Sequence, residues 1–211
     1  MIKLLPALAL AAGLAPAATM VVNCSVVGPA TTELSANIVC PQFSGAGLTS
    51  VDITVSGSIA GTVSVTNNSA TSQNVTATAT SQFNVGALAG FSFVNPIFSA
   101  TYTTGLQSLA GGQTQMFAAL NGSGFADLGL DTAMLAPYIG GATYNIGVST
   151  LTGFQAKGGG GQLATVQTTT GTATAVVTYT YNGSVVPEPA SLSLIGAGLL
   201  GLGMLRRRSR R

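Results

Sequence analysis

From Thr172 to Tyr181 the chain alternates: Ala173, Ala175, Val177, Tyr179 and Tyr181 take one side, Thr172, Thr174, Thr178 and Thr180 the other, and Val176 is the exception. Period two sends successive side chains to opposite faces of a strand, so this segment has one apolar face and one hydroxyl-bearing face. The pattern recurs. Val51-Asp52-Ile53-Thr54-Val55 alternates and continues through Ile59, and Asn74 to Phe83 sets Val75, Ala77, Ala79 and Phe83 against Thr76, Thr78 and Thr80. An apolar strand face must leave water by packing on a second sheet. Several such strands with turns between them predict an all-β fold, an antiparallel β-sandwich of short strands with Val51, Ile53, Val55, Val177 and Tyr179 directed inward.

Punctuation sets the expected boundaries. Residues 18–50, with Pro29, Pro41 and Gly45-Ala46-Gly47, read as an irregular lead-in. Ala60-Gly61 reads as the turn of a hairpin into Thr62-Val63-Ser64-Val65, and Asn67-Asn68-Ser69 as the next turn. Phe91, Phe93 and Phe98 flank Asn95-Pro96, where proline confines the segment to an edge or broken strand. Thr114 to Leu120 and Thr143 to Thr150 are further strands, Asp127 to Leu135 is the one short helix, and Gly158 to Gly161 is a mobile loop. No fixed-period repeat is present.

Both ends read as addresses rather than as parts of a fold. Met1 to Ala17 has the order of a secretory signal peptide: Lys3, an apolar run from Leu4 to Leu14, then Ala15-Pro16-Ala17 as the site for signal peptidase. Cleavage there starts the mature chain at Ala18. A buried N-terminal helix is the alternative, but the run has no polar face. At the other end Pro187-Glu188-Pro189 precedes a mostly apolar run from Ala190 to Leu205, followed by Arg206, Arg207, Arg208, Ser209, Arg210 and Arg211. As a helix the run is about 24 Å long, short of a bilayer core of about 30 Å. Gly196, Gly198, Gly201 and Gly203 weaken it further, by roughly 0.8–1 kcal/mol each. The five arginines hold the C-terminus in the cytoplasm, and the two prolines keep Glu188 on a stiff, extended tripeptide open to a protease. A short, soft transmembrane helix suits a temporary stop, with a permanent single-pass anchor as the alternative.

This tripartite order resembles the PEP-CTERM sorting signal of exported bacterial proteins. The resemblance covers residues 187–211 and implies transient insertion in the inner membrane, cleavage by an exosortase, and delivery to the cell surface or beyond. It leaves residues 18–186 as a single β-sandwich domain. Cys24 and Cys40 suit the oxidising compartment the two ends imply. A disulfide between them, closing a loop of about 15 residues, is worth ~3 kcal/mol in the chain-entropy model. Two free thiols are the alternative. Val22-Asn23 before Cys24 departs from a lipobox.

A second resemblance concerns the body. Pro41-Gln42-Phe43, the Leu48 to Val65 segment as a strand pair containing Gly57-Ser58-Ile59-Ala60-Gly61, Asn67-Asn68, and Val176 to Tyr181 together resemble the choice-of-anchor E domain of exported bacterial proteins. That family implies alternative C-terminal sorting tails and brings no catalytic residues. The Cys24–Cys40 lead-in and Phe91-Ser92-Phe93 depart from it.

Between its two addresses the chain carries Glu33, Asp52, Asp127 and Asp131 against Lys157 alone, a net charge of −3. With no basic surface to neutralise phosphates, nucleic-acid binding is excluded. Histidine is absent, which removes Ser-His-Asp and Cys-His arrangements and the commonest metal ligand. No metal site, cofactor or catalytic residue is expected. Asp127 and Asp131 could share a helix face as an acid/base pair or hold calcium, but two solvated carboxylates are the simpler reading. Asp131-Thr132-Ala133 is similar to an aspartic-protease D-T-G without its glycine or a second copy. Lys157 beside four glycines is poorly placed for a desolvated nucleophile, and Gly158 to Gly161 lacks the G-K-[ST] of a phosphate loop. Sequons at Asn23, Asn67, Asn74, Asn121 and Asn182 read as chance in an Asn-, Ser- and Thr-rich chain. The leading expectation is a non-enzymatic exported surface or matrix protein associated, through the PEP-CTERM resemblance, with exopolysaccharide or biofilm. A carbohydrate- or surface-binding module is the alternative, which exposure of Tyr102, Tyr138 or Tyr144 would favour, and the Thr-rich faces could order water or carry glycans. A hydrolase comes last.

Overall fold

The alternating segments are strands, and they run longer than the turn residues suggest. The structure, a computed structural model, describes residues 17–31, 33–158, 160 and 162–182. The expected signal peptide, save Ala17, and the expected sorting tail lie outside the described residues. In chain order the strands are β1 (Ala17–Asn23), β2 (Val27–Thr31), β3 (Ser35–Pro41), β4 (Leu48–Asn67), β5 (Gln73–Val85), β6 (Phe98–Thr103), β7 (Gln107–Leu109), β8 (Thr114–Asp131), β9 (Thr143–Gly158) and β10 (Leu163–Asn182). Ala136–Tyr138 form a 3-10 turn.

Two antiparallel sheets result. The first has the order β1-β10-β4-β8, with β2 also on β10; the second has the order β3-β9-β5-β6, with β7 also on β5. The expected register holds: Val51, Ile53, Val55, Val177 and Tyr179 are buried, and so are Val75, Ala77, Ala79 and Phe83. They belong to two clusters. The larger contains Ile38, Ile53, Phe83, Ile146 and Tyr179, and the smaller consists of Val63, Val65, Val75, Ala77, Ala79, Leu109 and Phe117.

Four local expectations are corrected. Ala60-Gly61 does not reverse the chain, because β4 continues through it for 20 residues opposite β10. The glycines serve close approach instead: a Cβ on Gly57 would stand 2.6 Å from the Phe83 ring, and one on Gly61 would stand 2.7 Å from the Thr168 carbonyl oxygen. Glycine inside a strand commonly marks such approaches or a bulge, and the β4–β8 register shifts between Gly61 and Thr62. The same fact removes the strand pair that Leu48 to Val65 supplied to the choice-of-anchor E resemblance. The lead-in is not irregular but contains β1, β2 and β3.

The expected helix over Asp127 to Leu135 is not formed. Asp127 and Asp131 are still paired with Thr54 and Val51 of β4, and Gly129 between them has a φ of +91°, outside any right-handed helix. Nor does Lys157 lie in the mobile loop expected beside the four glycines; it is the penultimate residue of β9, opposite Thr76 of β5. Phe91 and Phe93 fall between β5 and β6, where the Asn95 amide accepts from Val85 N at 2.9 Å and donates to its carbonyl at 2.7 Å. A side chain thus pairs the end of β5 on the edge that β6 leaves open, while β9 pairs the other edge.

The two sheets meet differently along their two sides. On one, the Cys24–Cys40 disulfide joins the chain leaving β1 to β3, with Cα atoms 4.5 Å apart. Cys24 N donates to Ala175 O at 2.9 Å, and Ser25 and Val39 exchange two hydrogen bonds. On the other, β8 lies against β6 through glycines: Cβ atoms on Gly122 and Gly124 would stand 2.6 Å from Ala100 Cβ and 2.8 Å from Phe98 Cδ1.

Candidate functional site

The carboxylates that the sequence groups are separated. Asp131 is buried and its Oδ1 accepts from Ala133 N at 2.9 Å and Met134 N at 3.0 Å, so it stabilises the turn after β8. Asp127 is exposed and caps its own turn, accepting from Gly129 N at 2.9 Å. Its partner is Asp52, a neighbour on the outer face of β4. Burial first, then the nearby Asp127 carboxylate, hold the Asp52 carboxyl above its ordinary range. Asp52 Oδ1 is shielded from solvent and has no hydrogen-bond partner. This pair is not visible in the sequence, because 75 positions separate its members and only the β4–β8 register brings them together. No group of three or more His, Cys, Asp or Glu side chains forms a metal cluster among the described residues. No helix among them is long and apolar enough to cross a membrane.

The tyrosines form no exposed platform. Tyr138 is buried, its hydroxyl donates to Ala89 O, and burial followed by the Asp131 charge raises its pKa to about 12. Tyr179 OH donates to Pro41 O at 2.7 Å, and Tyr144, edge-on to Tyr138, is raised by burial and by its hydrogen bond with Tyr179. Tyr102 is half-buried. Tyr138 and Tyr179 belong to the larger cluster and Tyr144 packs against it, whereas Tyr102 packs against both clusters. The sequon at Asn67 is equally structural: this fully buried side chain donates to Thr71 O, Leu109 O and Ala110 O at 2.8–3.1 Å.

The outer face of the first sheet differs from all of these. Along the middle of β4 the outward residues are Ser56, Ser58, Ala60 and Thr62, flanked on β10 by Thr174, Thr172, Thr170 and Thr168. On β8 the facing residues are Asn121, Ser123 and Phe125, opposite Ala60, Ser58 and Ser56. Because Ala60 offers only a methyl between Thr170 and Asn121, the surface dips there into a hollow of about 350 Å³. A second, adjacent hollow of about 220 Å³ lies over Ser56, Ser58, Thr172 and Thr174 and reaches Val26. Phe125 stands beside it, 72% exposed. The sequence shows the threonines, but without the register it shows neither the trough nor the aromatic at its side.

Residues 185–209 match the family model described as the PEP-CTERM protein-sorting motif. The match includes Pro187, Glu188 and Pro189 and reaches Arg206, Arg207 and Arg208. The chain is thus a β-sheet protein with the motif of exosortase-dependent sorting, which indicates export to the cell envelope or surface. No curated protein matches the chain. Solved structures with some likeness include infectious bursal disease virus of the Gx strain, at 14% identity over 90% of this chain and 49% of that one, with a TM-score of 0.17. The Gt strain gives 11% identity over 89% and 48%, again with a TM-score of 0.17. This chain spans about half the length of those structures.

Proposed function

We propose that this chain is a non-enzymatic surface or extracellular-matrix protein, held briefly in the inner membrane by its tail, released by an exosortase, and associated afterwards with exopolysaccharide or biofilm. The observation that carries the reading is the sorting motif at residues 185–209, joined to a body of two hydroxyl-rich sheets. The arrangement of acidic groups favours a non-enzymatic role: Asp131 is committed to backbone amides, and Asp52 and Asp127 lie on an open sheet face. The choice-of-anchor E likeness belongs to this proposal too. Its Pro41-Gln42-Phe43 segment docks the loop around Pro137, with Gln42 Nε2 donating to Pro137 O at 2.9 Å and Phe43 N to Tyr138 O at 2.8 Å. Deleting Pro187 to Arg211 tests the proposal. The shortened protein should be exported and folded but no longer retained or released at the envelope as the full chain is; unchanged sorting would refute it.

A further inference from the structure

We infer that the trough along β4 binds a strand of neutral polysaccharide, with Phe125 as its stacking wall. The inference rests on the reading of the chain as an exported matrix protein and adds a ligand class and a site to it. From Ser56 to Thr62 the trough runs about 20 Å at ~3.4 Å per residue, and from β10 across β4 to β8 it is about 10 Å wide at ~4.8 Å between strands. It is therefore elongated and suited to a chain rather than to a compact ligand.

The lining specifies which chain. Serine and threonine hydroxyls both donate and accept, and Asn121 adds a carboxamide that does the same, so the trough complements a polymer whose own groups are hydroxyls. Ser58 and Thr172 already share a 2.6 Å hydrogen bond, and Thr170 Oγ1 donates to Ala60 O at 3.2 Å, which fixes their orientation before a ligand arrives. An exposed phenyl ring, 72% accessible here, can take up the C–H face of a sugar ring by burying it.

Charge excludes the competing occupants. No ionised group lines either hollow. The nearest carboxylates, Asp52 and Asp127, lie just beyond Ser56 and Phe125, where they repel an anionic polymer. A nucleic acid would meet no cation. A second copy of the chain would meet hydroxyls where a stable protein interface has an apolar centre.

Affinity electrophoresis of the protein released by producing cells tests this, with gels containing a neutral glucan, a neutral mannan or a polyuronate. The protein should be retarded by at least one neutral polymer and not by the polyuronate. Phe125→Ala and Ala60→Glu should each weaken retardation about ten-fold or more, while Phe125→Tyr keeps it. Unchanged melting temperatures would show that both variants fold. Retardation that survives both substitutions, no retardation by either neutral polymer, or a wild-type dimer that Ala60→Glu dissociates would each overturn the assignment. Normal sorting of the same variants would leave the proposed function standing, and faulty tail-dependent sorting of the wild type would fail that reading separately.

Discussion

The sandwich is closed along one side by a covalent bond and along the other by the absence of side chains. At the disulfide side, β1 and β3 are strands of seven residues each, and β3 pairs along its whole length with β9. Cys24 and Cys40 hold them by limiting the freedom of the unfolded chain. At the glycine side, β6 and β8 come together because Gly122 and Gly124 leave room for Ala100 and Phe98. That seam depends on native-state packing alone. The same requirement, two sheets brought into register, is thus met through the denatured state on one side and through the folded state on the other.

Breaking the covalent seam should have the larger effect. Cys24→Ser with Cys40→Ser, or reduction of the native protein, should lower unfolding stability by about 3 kcal/mol, seen as a shifted denaturant midpoint. A loss under about 1 kcal/mol would mean that the hydrogen bonds of Cys24, Ser25 and Val39 hold the seam unaided. Gly122→Val comes next. Overpacking against Ala100 should cost about 1–3 kcal/mol, and a neutral result would show the β6–β8 contact to be slack. β1 and β8 are three strand spacings apart, about 14 Å. The two losses should therefore add within about 0.5 kcal/mol when combined, and a larger coupling would merge the seams into one.

The smallest effect belongs to the outer face of the glycine side. The Asp52 carboxyl keeps its proton to higher pH in the folded chain than in the unfolded one, so between its ordinary value of 3.8 and its raised value the folded state binds more protons. Stability therefore falls as pH rises through that window. Asp52→Asn should stabilise the protein near neutral pH by only a few tenths of a kcal/mol, since the pair is partly solvated and screened. At pH 3 it should do nothing. Thermal melts at the two pH values check this, and an equal shift at both would assign the effect to packing rather than charge.

The inward faces of β4, β5 and β10 are legible in the sequence, because period two depends only on the order of neighbouring residues. Gly57, Gly61, Gly122 and Gly124 are illegible there for the opposite reason. A glycine that admits Phe83 or Ala100 from the facing sheet has the same local appearance as one that turns the chain. Asp127 and Asp131 have a helical spacing of four, whereas pairing with β4 and the conformation of Gly129 decide their backbone. Phe125 and Ala60 carry the candidate binding trough, yet no local signal marks them, since their roles come from neighbours more than 40 residues away on other strands. The sorting motif needs no neighbours, being a linear address read by other proteins.

Intact mass of the native exported protein, taken without reduction, tests the account most directly. The expected species begins at Ala18 and ends near Pro187 to Pro189, two hydrogens lighter than its sequence because Cys24 and Cys40 are bridged. A mature species that still ends at Arg211 would contradict it.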